Sequence, residues 1–231
     1  MIDKIKIIAI GFHKCGTSTI DQLFTSNGYN CRHGHGLCGT TTQKLLDIEK
    51  YQVVSDWCEN HITREELVKI VSRYPDAYYI LNTRPLESWI LSRFKHFYYL
   101  QEQGRLHGRI METQLFNPGD ISFKSAQAYI HQRDEFYKNC TEIFTYRKHN
   151  FIVVDIYQPK FKQYINDQLT LNLNINESTH RFSTQTDSLL KLTTPVLEEL
   201  YVEYSADQLA NPLSCVDNTN NKLLQFPNNL P

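Results

Sequence analysis

Methionine and tryptophan are scarce, with two of each in 231 residues, and glycine and proline number only nine and eight. So little glycine and proline excludes collagen-like and low-complexity chains. Six cysteines lie at positions 15, 31, 38, 58, 140 and 215, with no two in a C-x-x-C pair. That scatter excludes a thioredoxin-type redox pair and the common zinc-ribbon spacings, and predicts free, mostly buried thiols. Neither charge sign dominates: 24 Lys and Arg stand against 25 Asp and Glu, for a net charge of -1. The chain therefore has no global attraction for nucleic acid or acidic membrane, and any anion site must be local. No apolar run approaches the ~20 residues of a membrane span. The opening "MIDKIKIIAIG" is too short in its apolar part for a signal peptide, and no small-residue cleavage site follows, so a cytosolic protein is expected. The hydrophobic content of 41% suits one soluble domain with a sizeable core.

What is present is an alternation of strands and helices. Residues 4–10, nearly continuous in isoleucine, predict a strand buried on both faces, as in a parallel sheet. A helix is expected from about Thr17 to Ser26, ended by Asn27-Gly28. "YNCRH", "YQVVSD", "AYYILNT" and "NFIVVDI" read as further strands. "TTTQKLLDIEKY" reads as a helix, and "TREELVKIVSRY" as another with a Thr63-x-x-Glu66 capping box. "PLESWILSRFKHFYYLQEQ" carries Pro85 at its first turn. A long loop at 105–122, a long helix from Phe123 to Arg147, a helix in "PKFKQYINDQLTL" and a helical pattern near 193–204 complete the chain, before a polar tail from about 206. With no internal repeat and no linker, this predicts one α/β domain spanning 1–231: a P-loop-type parallel sheet flanked by helices on both faces.

The first strand, loop and helix, "IKIIAIGFHKCGTSTIDQLF", are built as a phosphate cradle. A Walker A loop has its lysine directly after the last glycine. Here Lys14 stands two residues before Gly16, so the pattern is a different one. Gly16 allows close backbone approach, the N–H groups of residues 16–19 open a helix toward an anion, Lys14 adds charge, and Thr17, Ser18 and Thr19 add hydroxyls.

"KCGTST" (Lys14, Cys15, Gly16, Thr17, Ser18, Thr19) resembles, position by position, the 5′-phosphosulfate loop of the sulfotransferases dependent on 3′-phosphoadenosine 5′-phosphosulfate (PAPS). A second stretch, "YILNTRPLESWILSRF", is similar to that family's 3′-phosphate motif: an arginine at a strand end, Arg84, with a serine eight residues on, Ser92. The strand's C-terminal edge is where ligands bind in open α/β sheets, and Ser92 lies two helical turns in. The family's usual Asp-Pro or Asn-Pro is absent, since Arg84 is followed directly by Pro85. A looser similarity extends through "FIVVDIYQPKFKQYINDQLTLN" and the polar "NESTHRFSTQT", which adds His180 and Arg181 as candidate phosphate contacts. The short bacterial sulfotransferase-like proteins are the nearest in pattern.

The resemblance implies a PAPS-dependent sulfotransferase with PAPS as sulfuryl donor, no metal, and a small-molecule or glycan acceptor bearing a hydroxyl or amine. It implies that Lys14 stabilises the leaving phosphate. The proton acceptor is left among three residues: Asp56 at the end of "YQVVSD" ranks first, His33 in "YNCRHGHG" second and His61 third. Each also has a plain structural alternative: Asp56 capping a helix or orienting Lys14, His33 holding a loop carbonyl. Cys31, His33, His35 and Cys38 form a candidate zinc set, but their spacing matches no known finger, and no metal site is assigned. The stripe "FKHFYYLQ" reads as core before it reads as acceptor pocket, and Phe12 and Trp57 are candidates to stack on adenine or acceptor. Two rival functions stand beside transfer: a P-loop kinase or NTPase, disfavoured by the missing Gly-Lys-[Ser/Thr], and a non-catalytic nucleotide-binding protein of the same fold.

Overall fold

A computed structural model describes residues 5–34, 41–57, 62–104, 121–146, 150–175 and 187–211. Five strands form the sheet: β1 (Ile7–Ala9), β2 (Cys31–His33), β3 (Val53–Ser55), β4 (Tyr78–Thr83) and β5 (Asn150–Asp155). All neighbouring pairs are parallel, in the order β2-β3-β1-β4-β5. Helices connect them: α1 (Thr17–Thr25), α2 (Thr41–Lys50), α3 (Arg64–Arg73), α4 (Leu86–Glu102) and α5 (Phe123–Tyr146). After β5 come α6 (Phe161–Gln168), α7 (Asp187–Glu203) and the short α8 (Ala206–Ala210). The expected α/β class with a parallel sheet and helices on both faces is what forms.

The two-sided burial has a simple cause. Successive side chains of a strand point to opposite faces. Ile8, Ile10, Val54, Tyr79, Leu81, Phe151 and Val153 pack on one face with residues of α3, α4, α5 and α7. Ile7, Ala9, Val53, Ile80, Ile152 and Val154 pack on the other with Ile20, Leu23 and Phe24 of α1 and Phe161 and Ile165 of α6. Both faces need apolar residues, so the strands read as continuous apolar runs. In the aromatic stripe, Phe94, Phe97 and Leu100 are buried in the first of these cores, while Tyr99 stays half exposed. Phe12 and Trp57 are 2% and 4% exposed, packed as core rather than presented as open stacking faces.

Local signals account for most element ends. Thr63 and Glu66 form the reciprocal cap of α3, both hydrogen bonds being present. Pro85 sits just before α4 rather than in its first turn. The last long helix begins at Asp187, earlier than its apolar pattern suggests, and carries Pro195 inside it. The loop 105–120 and residues 212–231 lie outside the described residues.

The strand order places β1 between β3 and β4, so the chain moves to one side of β1 first and then to the other. The crevice at such a reversal, beyond the strands' C-terminal ends, is the ligand site of open α/β sheets. Here it is where the loop of residues 11–16 leaves β1.

Gly16 opens α1 at φ 81°, and a Cβ there would lie 2.1 Å from Ile156 Cδ1. Gly28 has nearly the same φ, 80°, with nothing near. Gly16→Ala is expected to cost more than Gly28→Ala, about 2–3 kcal/mol against about 1, because only the first adds a clash to the backbone strain. Urea unfolding of both variants checks the order.

Candidate functional site

The loop from Gly11 to Gly16 is tied down from three sides. The first anchor is Asn82, fully buried in β4: its Oδ1 accepts from Gly11 N at 3.1 Å and its Nδ2 donates to Cys15 O at 2.8 Å. The second is α4, where Trp89 Nε1 donates to His13 O at 2.8 Å and Arg93 Nη1 bonds to His13 Nδ1. The third is Arg84, directly after β4, whose Nη1 donates to Lys14 O at 3.2 Å. Within the loop, Cys15 N donates to Phe12 O. A Cβ on Gly11 would fall 2.2 Å from the Asn82 side chain, so only glycine permits that clamp.

These bonds hold the loop in an uncommon conformation. Lys14 has φ 65° and Gly16 φ 81°. Turning back at Lys14 and Gly16 brings the start of α1 to the end of the loop. The N–H groups of Gly16, Thr17 and Ser18 have no hydrogen-bond partner among the described residues. Thr19 N, by contrast, is already bonded to Gly16 O. Three adjacent free donors at a helix start, beside a lysine, form an anion cradle. Thr17 is buried, Ser18 exposed and Thr19 partly exposed.

The Cys15 side chain points away from the cradle. It is fully buried, its Sγ 3.1 Å from Tyr137 Oη, and the Tyr137 hydroxyl donates to Thr83 Oγ1 at 2.9 Å. Burial pushes both the Cys15 thiol and the Tyr137 phenol up, so both stay neutral. Arg133, 1% exposed, stacks on Trp89 and Tyr137 and donates to Arg84 O at 3.2 Å. Cys15 thus contributes backbone to the cradle and side chain to the core.

Arg84 joins three segments. Its Nε donates to Ser88 Oγ at 3.1 Å, Nη1 to the loop, and Nη2 to the hydroxyl of Tyr157, whose ring lies 4.6 Å from the guanidinium. Burial draws the guanidinium down from its ordinary value, while Tyr157, Cys15 and Asp155 oppose that. No hydrogen bond joins Arg84 to Ser92, which sits two turns into α4 and half-buried; Ser88, one turn in, is the serine it meets.

On the other side of β1, the ends of β2 and β3 bring His33 and Asp56 together. His33 Nε2 lies 3.6 Å from Asp56 Oδ2 and 3.2 Å from Ser18 Oγ, and Nδ1 lies 2.9 Å from Ser55 Oγ. Asp56 has φ 63°, and Gly34, just past β2, has φ 65°. Both strands therefore turn back at adjacent positions, joined by Gly34 N donating to Ser55 O at 3.1 Å. Left-handed backbone costs a non-glycine residue about 1–2 kcal/mol, and Lys14 and Asp56 are two of the three such residues described. A small pocket beside Asp56 is walled by Phe12, Trp57, Ile62 and Phe136, with His13 at its edge.

Of the residues singled out in the sequence, Lys14, Gly16, Thr17, Ser18, Arg84, Asp56 and His33 gather around the C-terminal edge of the sheet. His35, Cys38, His61, His180 and Arg181 lie outside the described residues. Among the described residues no group of three His, Cys, Asp or Glu side chains could hold a metal ion. No helix among them is long and apolar enough to cross a membrane. Asn82, Trp89, Tyr137, Tyr157 and Ser55 escaped the sequence reading. For Asn82 the signal was there: a polar residue inside an apolar strand must find partners.

No family model matches this chain, and no curated protein sequence matches it. Among solved structures, the mouse sulfotransferase SULT7A1 complexed with PAP is similar over 98% of this chain and 80% of its own. The identity is 12% and the TM-score 0.43, a likeness that shows neither family nor activity.

Removing the Asn82 amide leaves a buried N–H at Gly11 and a buried carbonyl at Cys15 unpaired. Asn82→Ala is expected to destabilise by about 2–6 kcal/mol, at about 1–3 for each of the two orphaned groups. The measurement is the urea midpoint of the variant against wild type.

Proposed function

We propose that this protein is a sulfotransferase that moves a sulfuryl group from PAPS to a hydroxyl or amine of an acceptor. The observation that carries the proposal is one continuous anion-binding edge. Three free N–H donors, Lys14 and Arg84 lie along it, and Arg84 is bonded to the carbonyl of Lys14 itself. An edge of that extent suits a ligand with two separate anionic groups better than a single phosphate. The residues fit the donor: the loop of residues 14–19 takes the 5′-phosphosulfate, and Arg84, with Ser92 further along α4, takes the 3′-phosphate.

PAPS supplies an activated sulfuryl group with a phosphate as leaving group. In the transfer, a bond forms between the acceptor oxygen or nitrogen and sulfur as the bond from sulfur to the bridging oxygen breaks. Negative charge builds on the departing phosphate, and Lys14 with the N–H groups of Gly16, Thr17 and Ser18 stabilises it there. The acceptor's proton goes to the pair Asp56–His33 on the opposite side of the loop. The two residues that compete for this role in the sequence lie 3.6 Å apart. The small pocket beside Asp56, walled by Phe12, Trp57, Ile62 and Phe136, keeps one side of the carboxylate against apolar groups. Residues 176–186, with Arg181, are further candidates to reach the nucleotide.

Two sets of measurements test the proposal. Adenosine 3′,5′-bisphosphate at 100-fold over its dissociation constant is expected to stabilise the protein by about 2.7 kcal/mol, and AMP at the same concentration much less. Equal stabilisation by both would remove the basis for a 3′-phosphate site at Arg84. In an assay with labelled PAPS and a panel of acceptors, Lys14→Ala is expected to lower the transfer rate far more than it weakens bisphosphate binding. Asp56→Asn and His33→Ala should each slow transfer by about 10²–10⁴-fold at nearly unchanged bisphosphate affinity. An Asp56→Asn enzyme as fast as wild type, beside an inert His33→Ala, would make His33 the base.

A further inference from the structure

Ser55 is the register partner of His33 across β2 and β3. It is fully buried, and the only hydrogen-bond partner of its hydroxyl among the described residues is His33 Nδ1, 2.9 Å away. A hydroxyl has one hydrogen to donate and two lone pairs to accept with. A buried donor without an acceptor is costly, whereas an idle lone pair is cheap. The hydroxyl hydrogen therefore points at Nδ1, which must be the ring nitrogen without a proton. The other nitrogen, Nε2, then carries the hydrogen, and both groups it faces are acceptors: Ser18 Oγ at 3.2 Å and the Asp56 carboxylate at 3.6 Å. Among the described residues two carboxylates face the ring, Asp56 from the end of β3 and Asp21 from α1. With Nε2 already protonated, His33 has no lone pair to turn toward the acceptor.

We propose that Ser55 is a positioning residue: it holds His33 as a neutral Nε2–H donor, and so leaves Asp56 as the group that takes the acceptor's proton. The bond made in that step is from the acceptor's hydrogen to an Asp56 oxygen. The bond broken is the acceptor's O–H or N–H, whose electron pair goes to sulfur. The catalytic part of this inference rests on the sulfotransferase reading, while the hydrogen-bond part stands apart from it.

The test is a ¹⁵N NMR spectrum of the histidine rings of the full chain, with the His33 signals assigned by His33→Gln. In wild type at neutral pH, His33 is expected as the single Nε2–H tautomer. In Ser55→Ala it should become a mixture of the two tautomers, and Ser55→Thr, which keeps the hydroxyl, should restore the single form. A wild-type His33 protonated at Nδ1, or an Ser55→Ala spectrum with an unchanged tautomer, overturns the proposal; the wild-type spectrum decides even if the alanine variant does not fold. In the transfer assay Ser55→Ala should be about tenfold slower, the value of one neutral hydrogen bond, with bisphosphate affinity unchanged. Transfer at the wild-type rate in Ser55→Ala overturns its positioning role. A tautomer change as expected, in a protein that transfers no sulfuryl group at all, upholds the hydrogen bond and overturns the sulfotransferase reading alone.

Discussion

The loop after β1 depends on three consecutive residues at the end of β4. Asn82 bridges Gly11 N and Cys15 O, Thr83 accepts from Tyr137 beneath the Cys15 thiol, and Arg84 holds Lys14 O. β4 also pairs with β5 over six residues, the longest register in the sheet, and so is well fixed there. A strand so held can impose a shape on the loop that the loop's own residues do not favour. The left-handed backbone at Lys14 costs about 1–2 kcal/mol, and the hydrogen bonds from Asn82 and Arg84 offset it. Release of those bonds would free the loop to relax, and the three adjacent N–H groups would no longer converge.

The same arrangement explains why so much polarity is buried beside the site. Arg93 and Arg133 are 2% and 1% exposed, and burying an isolated cation is expensive. Both lie against aromatic rings, Arg93 near Phe97 and Tyr129, Arg133 near Trp89 and Tyr137. Both also bond into the site, Arg93 to His13 and Arg133 to Arg84 O. Ring faces favour the charge, and the bonds give it direction. Two cations behind the loop add positive potential to the open N–H groups of Gly16, Thr17 and Ser18. That is a local answer to a chain with no overall charge to attract an anion.

How much of this was legible in the sequence follows from the range of each signal. Strands buried on both faces announce themselves by continuous apolar runs, and the cap of α3 by Thr63 and Glu66 three residues apart. The loop showed its composition, Lys14 and Gly16 before Thr17, because such a cradle is built from neighbours in sequence. What holds it comes from residues 67 to 122 positions away, Asn82 and Tyr137 among them, and no local pattern encodes such pairings. The eight-residue spacing from Arg84 pointed to Ser92, whereas the first turn of α4 brings Ser88 to the guanidinium instead. With no Asp or Asn between Arg84 and Pro85, the helix starts close to the arginine and its first-turn serine is within reach. His33 and Asp56 looked like alternatives because 23 residues separate them. The parallel register of β2 on β3, His33 against Ser55, is what makes them neighbours.

That register also divides the site's labour. Among the described residues, the open N–H groups of Gly16, Thr17 and Ser18 and the Arg84 guanidinium hang from β1, α1 and the end of β4. The candidates to move a proton, His33 and Asp56, sit at the ends of β2 and β3. The two halves meet at Ser18, whose backbone N–H belongs to the cradle and whose hydroxyl touches His33 at 3.2 Å. Sheet pairing fixes the spacing of the two halves, and left-handed backbone occurs beyond three strand ends, at Lys14, Gly34 and Asp56. The strain at Lys14 and Asp56 is tolerable because the sheet behind them is buried on both faces.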